Sequence, residues 1–377
     1  MAQRTPTPPP VLAGFTYVRP LGSGGFADVF LYEQDMPRRV VAVKVLKADA
    51  INPDVLRLFN AEADVMARLS AHPSVLTIYQ ASISSDGRPY LATEYCTDSM
   101  GLRYKQGPLE LPLVLDTGVR MAAALETAHR AGLLHRDIKP SNILITTLGT
   151  PVLADFGIAM SLGGVEDTED FFAMSVPWSS PEALQETTTG TVASEVWSLG
   201  ATLYTFLAGR SPFASPDRAK NSTDQMLARI NKAAYTSLGR ADVPIELESL
   251  LSRAMSRDPG KRPQSMLEFA GELRWIQQMQ GFPPTTIEVA ASEWAAATPV
   301  SFASGAPRGP VMSTVNKDSR RAKRASQTPI GSAAQAEVTP ARPATSPIKA
   351  AVIGAVVGAV ALAIIGGLVL VLTGVIG

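Results

Sequence analysis

The most chemically loaded stretch of the chain is His135-Arg136-Asp137-Ile138-Lys139-Pro140-Ser141-Asn142. Eight residues here hold two cations, a carboxylate and an amide, on a loop between a helical and a strand-like pattern. Asp155-Phe156-Gly157 follows, with Asp155 thirteen positions after Asn142. An amide and a carboxylate so spaced, each at a strand end, are able to share divalent cations over a triphosphate. A surface loop with these residues by accident is improbable.

Two weaker signals precede it. Gly22-Ser23-Gly24-Gly25-Phe26-Ala27 is a GxGxxA pattern. Glycines let backbone N–H groups approach phosphate oxygens. The same letters suit a plain hairpin turn, or a dinucleotide-binding fold, where a helix must follow. A strand-like stretch, Ala27 to Glu33, follows instead and favours a glycine-rich hairpin over phosphates. Val41-Ala42-Val43-Lys44 then projects one cation from an alternating apolar strand. Glu62 lies eighteen residues later in DVLRLFNAEADVMARLS, whose apolar residues recur at helical spacing. A Lys–Glu pair would hold the ammonium against α- and β-phosphates. A snorkelling lysine and a solvated glutamate fit the same letters.

The elements that must position these groups run from residue 14 to 280. FTYVRPLG, ADVFLYE and RRVVAVKVLK read as strands. LPLVLDTGVRMAAALETAHRAG and SMLEFAGELRWIQQMQ read as helices. A strand-rich start and a helix-rich remainder predict an α+β protein of two lobes. Residues 1–13 are Pro/Thr-rich and expected to be disordered. Residues 281–349 turn to Pro, Ala, Ser and Thr and read as a flexible linker carrying the basic cluster KDSRRAKR. Residues 350–377 hold no charge over 28 positions, more than the roughly 20 that span a bilayer, and predict a transmembrane helix over 350–376. The basic residues before it place the folded part in the cytoplasm, on a single-pass cell-membrane anchor. Gly354 and Gly358 form GxxxG, and Ala355, Ala359, Ala363 and Gly367 recur every four residues; such spacing would suit a homodimer, though so Ala/Gly-rich a segment gives it by chance.

Composition narrows the classes further. The 377 residues carry 34 Lys+Arg and 34 Asp+Glu, a net charge of zero, which argues against a nucleic-acid binder. That zero is a sum of unlike parts: residues 296–349 carry eight basic and two acidic groups, and residues 1–295 a net of −6. Hydrophobic residues at 46% exclude wholesale disorder. Cys96 is the one cysteine, so no internal disulfide forms, and His72, His129 and His135 lack zinc-ligand spacing.

Taken in order, the Gly-rich loop, VAVK, the helix-borne Glu62, HRDIKPSN, DFG, SPE, VWSLG and DPGKRP carry a resemblance. The chain resembles a Hanks-type (eukaryotic-like) serine/threonine protein kinase, of the membrane-anchored bacterial group, over about residues 15–280. The resemblance implies a bilobal protein kinase fold, ATP with Mg²⁺ (or Mn²⁺), and transfer of the γ-phosphoryl group to Ser/Thr hydroxyls of protein substrates. Gly22, Gly24 and Ala27 would cover the phosphates; Lys44, paired with Glu62, would contact them. Asp137 would orient the substrate hydroxyl or accept its proton, Lys139 would neutralise the transferring group, and Asn142 and Asp155 would hold the metal. Leu21, Val29 and Ala42 would roof the adenine and Leu144 floor it. Thr93 falls at the gatekeeper position, with backbone groups of Glu94 and Cys96 on the adenine edge.

The resemblance also implies that Arg136 pairs with a phosphorylated activation loop, with Thr168 as the autophosphorylation candidate, and that Ser175 contacts the catalytic loop. Four departures stand out. Ala27 replaces a glycine, Ser180 replaces the alanine of the APE motif, and acidic residues surround Thr168. Glu195 stands where an aspartate normally braces the HRD backbone, with one methylene more to reach the same N–H groups. The alternative is a membrane-anchored pseudokinase scaffold. Such proteins usually lose the Lys, the HRD Asp or the DFG Asp, all of which stand here.

Overall fold

Alternation of apolar residues builds the first sheet. The computed structural model describes residues 8–156 and 175–290, apart from 26, 186 and 189. Strands β1 (Phe15–Ser23), β2 (Ala27–Gln34) and β3 (Arg39–Leu46) match the three read from sequence. With β4 (Ile78–Ile83) and β5 (Pro89–Glu94) they form an antiparallel sheet of order β1-β2-β3-β5-β4. Residues directly opposed in such a ladder share a face. The registers Val29↔Lys44↔Leu91 and Leu31↔Ala42↔Thr93 therefore put Val29, Ala42, Lys44 and Thr93 on one face. Phe30, Tyr32, Val41, Val43, Tyr90 and Ala92 make the core of the other face.

Helix α1 (Pro53–Leu69) opens with proline, whose missing N–H costs nothing at a helix start. Its Val55, Phe59 and Ala63, at four-residue spacing, pack on Ala27, Leu46 and Leu91. That packing faces Glu62 toward β3. The helical part includes a short sheet of β6 (Cys96–Ser99), β7 (Ile143–Thr146) and β8 (Pro151–Leu153). Helices α2 (Met100–Gln106) and α3 (Leu111–Arg130) lie between β6 and β7, and α4 (Pro181–Leu184), α5 (Val192–Ala208), α6 (Thr223–Asn231), α7 (Ile245–Ala254) and α8 (Met266–Met279) come after β8. Helix α5 is buried on nearly every side and sits at the centre, with Trp197, Leu203, Tyr204 and Phe206 fully buried. A capping box of Thr191 and Ser194 starts it, and Gly209 in the left-handed region (φ 69°) ends it.

Both ends of the described chain are more ordered than composition suggests. Residues 8–12 fall inside the segment expected to be disordered, yet Leu12 joins the outer core of the first sheet. Tyr32 donates to the Pro10 carbonyl at 2.6 Å and Arg88 to the Pro8 carbonyl at 2.9 Å. A proline-rich segment has little chain entropy to lose, so a few such bonds suffice to dock it. Residues 281–290, expected to open the linker, pack on the helical part instead: Phe282 and Ile287 rest on its core. Among the described residues no helix is long and apolar enough to cross a membrane, and 350–377 lies outside them.

Helix α2 approaches the loop before β7 so closely that a Cβ on Gly101 would lie 2.8 Å from the Ser141 Cα. Backbone cannot yield as a side-chain end does. Gly101→Ala is expected to cost about 1–3 kcal/mol by overpacking, read as a lower denaturant midpoint at unchanged slope.

Candidate active site

Two bonded clusters meet at the junction of the sheet lobe and the helical lobe. In the first, the Lys44 ammonium lies 2.9 Å from Glu62 Oε1 and 3.0 Å from Asp155 Oδ1. Strand β3 supplies the lysine, α1 the glutamate, and the segment after β8 the aspartate. Burial alone would lower the Lys44 pKa, but the carboxylates of Asp155 and then Glu62 outweigh it and hold the ammonium charged. Burial pushes the Glu62 carboxyl up, against the pull of Lys44. Lys44 holds Asp155, whose side chain is 53% exposed, below the ordinary aspartate value.

In the second cluster, Asp137 is held from four directions. Ser175 Oγ donates to Oδ1 at 2.8 Å, and Asn142 Nδ2 donates to Oδ2 at 2.9 Å and to the Asp137 carbonyl at 2.8 Å. Lys139 Nζ lies 2.7 Å from Oδ2 and donates to Ser175 Oγ at 3.0 Å. The clusters are stapled together. Ala154 N–H donates to the Asn142 carbonyl at 2.9 Å, and His135 Nε2 donates to the Ala154 carbonyl at 3.1 Å. His135 Nδ1 accepts the Asp137 N–H at 3.3 Å, so the ring is the neutral Nε2–H form, in line with burial lowering its pKa. The ring also packs on Phe156, centroids 4.6 Å apart.

The backbone at this junction is strained. Arg136 (φ 66°) and Asp155 (φ 56°) are left-handed without being glycine, at a cost of about 1 kcal/mol each. Lys44 holds Asp155. Glu195, the departure from the expected aspartate, holds Arg136: its Oε1 accepts the Arg136 N–H at 2.7 Å. The longer side chain leaves its other oxygen against His129 Nε2 at 2.5 Å, with both side chains almost wholly buried. The expectation that glutamate reaches the same backbone is met. His129 was missed, because its separation from Glu195 hides the pair from any local pattern. Arg262 of the DPGKRP element grips Glu182 of the SPE element at 2.6 and 3.0 Å.

The glycine hairpin turns with Gly24 N–H bonded to the Ala27 carbonyl at 2.8 Å. Lys47 Nζ, absent from the sequence reading, donates to the Gly24 carbonyl at 2.6 Å and faces the buried Asp28 at 3.6 Å. A buried aspartate in an apolar strand was the available signal. Of the expected adenine contacts, Val29, Ala42 and Thr93 share the sheet face already described, with Thr93 Oγ1 on the Ala42 carbonyl at 3.4 Å. Leu21 lies in β1, Glu94 ends β5, Cys96 opens β6 and Leu144 lies in β7. Burial pushes the Cys96 thiol up to about 12, so it is no thiolate. Among the described residues no three His, Cys, Asp or Glu side chains converge as a metal cage. Asn142 and Asp155 supply a partial set of oxygen donors, which fits a hard cation that draws other ligands from phosphate and water. Thr168 and Gly157 lie outside the described residues.

The pH dependence of the first cluster has a fixed sign. An aspartate held below its ordinary value adds stability above about pH 4 and loses it as pH falls further. The stability difference between wild type and Lys44→Met, from denaturant titration, should shrink between pH 7 and pH 3; a difference that grows contradicts the ion-pair account. Glu195→Ala orphans the Arg136 N–H and the His129 ring and is expected to cost about 1–3 kcal/mol in the same assay.

The family model for the protein kinase domain matches residues 15–274. Serine/threonine-protein kinase PknK of Mycobacterium tuberculosis is 39% identical over 274 residues, 71% of this chain and 24% of the relative. Serine/threonine-protein kinase PknF of the same species is 33% identical over 277 residues, covering 69% and 56%. Serine/threonine-protein kinase PrkC of Bacillus subtilis is 30% identical over 264 residues, covering 69% and 40%. The matched part thus spans about a quarter to just over half the length of these curated relatives.

Proposed function

This chain belongs to the protein kinase family, and from that premise we propose that it transfers the γ-phosphoryl group of ATP to serine and threonine hydroxyls of proteins. One observation carries the proposal: Lys44 bonded to both Glu62 and Asp155, beside an Asp137 bonded to Asn142, Lys139 and Ser175. The names of the relatives support the hydroxyl class.

Phosphoryl transfer is mostly positioning and charge neutralisation. Lys44, oriented by Glu62, contacts the α- and β-phosphates beneath Gly22, Gly24 and Ala27. Asp137 orients the incoming hydroxyl and accepts its proton. Lys139 neutralises charge on the transferring group. Asn142 and Asp155 would hold Mg²⁺ (or Mn²⁺), which would supply positive charge to neutralise the phosphates. Leu21, Val29, Ala42 and Leu144 enclose the adenine, and the backbone at Glu94 and Cys96 bonds its edge behind Thr93.

The proposal extends to control and location. The Arg136 Nε is buried and bonds nothing among the described residues, which supports pairing with a phosphate placed on Thr168 by autophosphorylation. The uncharged run 350–376 supports a single membrane-spanning anchor with the kinase domain cytoplasmic, and its small-residue spacing a homodimer. The scaffold alternative has no support, since Lys44, Asp137 and Asp155 are all present and bonded.

Radiolabelled ATP with a generic protein substrate tests the enzyme reading. Asp137→Asn should lose at least about a hundredfold in rate, in the range that removal of a positioned base gives. Equal silence of wild type and variant sinks the proposal. Deleting residues 350–377 should move the protein from the membrane pellet to the supernatant; unchanged partition removes the anchor.

A further inference from the structure

The family match ends at residue 274, yet packed chain continues to 290. This added segment is bonded along its length. Phe282 N–H donates to the Gln277 carbonyl at 2.8 Å. The Gln277 amide then clasps Thr285, accepting its N–H at 2.9 Å and donating to its Oγ1 at 2.8 Å. Thr285 Oγ1 donates to Asp116 of α3 at 2.8 Å, and Ala290 N–H to Thr127 Oγ1 at the far end of the same helix at 3.2 Å. The spans agree: five extended residues at about 3.3 Å each cover the same roughly 16 Å as eleven helical residues at about 1.5 Å. The segment is a strap laid along α3.

Near its end the strap crosses to the other lobe. His72, in the connection from α1 to β4, meets the Glu288 carbonyl with Nε2 at 2.6 Å. His72 Nδ1 accepts the Ser74 N–H at 3.0 Å, so Nε2 carries the proton and donates. The ring is buried, and burial lowers its pKa, which keeps this neutral form. The same connection is laced to β8: Leu76 N–H donates to the Leu153 carbonyl and Leu153 N–H to the Ser74 carbonyl, both at 2.9 Å. The connection therefore joins α1, which carries Glu62, to β8, which leads into Asp155.

We infer that residues 282–290 are a positioning strap for the phosphoryl-transfer site. By holding His72 they fix the α1–β4 connection, and through it the placement of Glu62 and Asp155 around Lys44. The inference rests on the kinase reading above and deepens it. His72 and Thr285 touch no reacting atom; they act through Glu62.

Two full-length variants test it. His72→Asn keeps an acceptor at the place of Nδ1 for the Ser74 N–H but removes the donor to Glu288. Thr285→Val cuts the strap's anchorage to Asp116 and leaves His72 intact. Each should lower kcat about three- to tenfold, the range of one neutral hydrogen bond. Each should also speed amide exchange over residues 53–77 while α5 keeps its protection. A strap that only covers apolar surface predicts unchanged kcat and unchanged exchange over 53–77, and that result overturns the inference. General loss of protection, α5 included, also overturns it when both variants show it. An inactive wild type sinks the kinase reading alone, because the exchange pattern is read without activity.

Discussion

A lysine ammonium taken largely out of water must be answered by negative charge, and that requirement organises this molecule. Lys44 is answered twice, by Glu62 and Asp155. The two carboxylates come from different elements: a helix packed under one sheet, and the segment leaving a strand of another. Burial without partners would drive the proton off the lysine and leave nothing to attract phosphate. The lobes are thus held together at the place where a triphosphate needs positive charge.

The second constraint is backbone strain at the same junction. Arg136 and Asp155 both adopt positive φ, against the preference of their side chains. Each is held by a charged partner from a distant element, Glu195 from α5 and Lys44 from β3. The central helix is apolar apart from such positions, so a buried carboxylate there is costly unless it accepts hydrogen bonds. Glu195 accepts two, from Arg136 and His129. The extra methylene relative to aspartate is absorbed without loss of either bond.

Much of this was legible in the letters. Strand alternation put Lys44 on a wall and helical spacing put Glu62 on a helix, while their pairing and the roles of the HRDIKPSN segment came from the ordered motifs of the family resemblance. The residues that escaped notice share a physical cause: their partners are remote in sequence. Lys47 on Gly24, His129 on Glu195 and His72 on Glu288 involve separations that no window of neighbouring residues can reveal. The chain ends escaped for another reason. Pro/Thr-rich composition signals weak core-forming power, but it does not forbid docking by a few carbonyl acceptors and one or two apolar anchors, as Leu12 and Ile287 show.

Ends of domains are ordinarily where fusion and trimming are best tolerated. Here the incoming end supplies Leu12 to the core of the five-stranded sheet, and its carbonyls are ligands for Tyr32 and the buried Arg88. That core is small, so one leucine is a sizeable share of it. The smaller lobe is therefore a composite, completed by chain that lies before its first strand. A fusion partner grafted close to Pro8, or a start site moved past it, would reach the five-stranded sheet that carries Lys44.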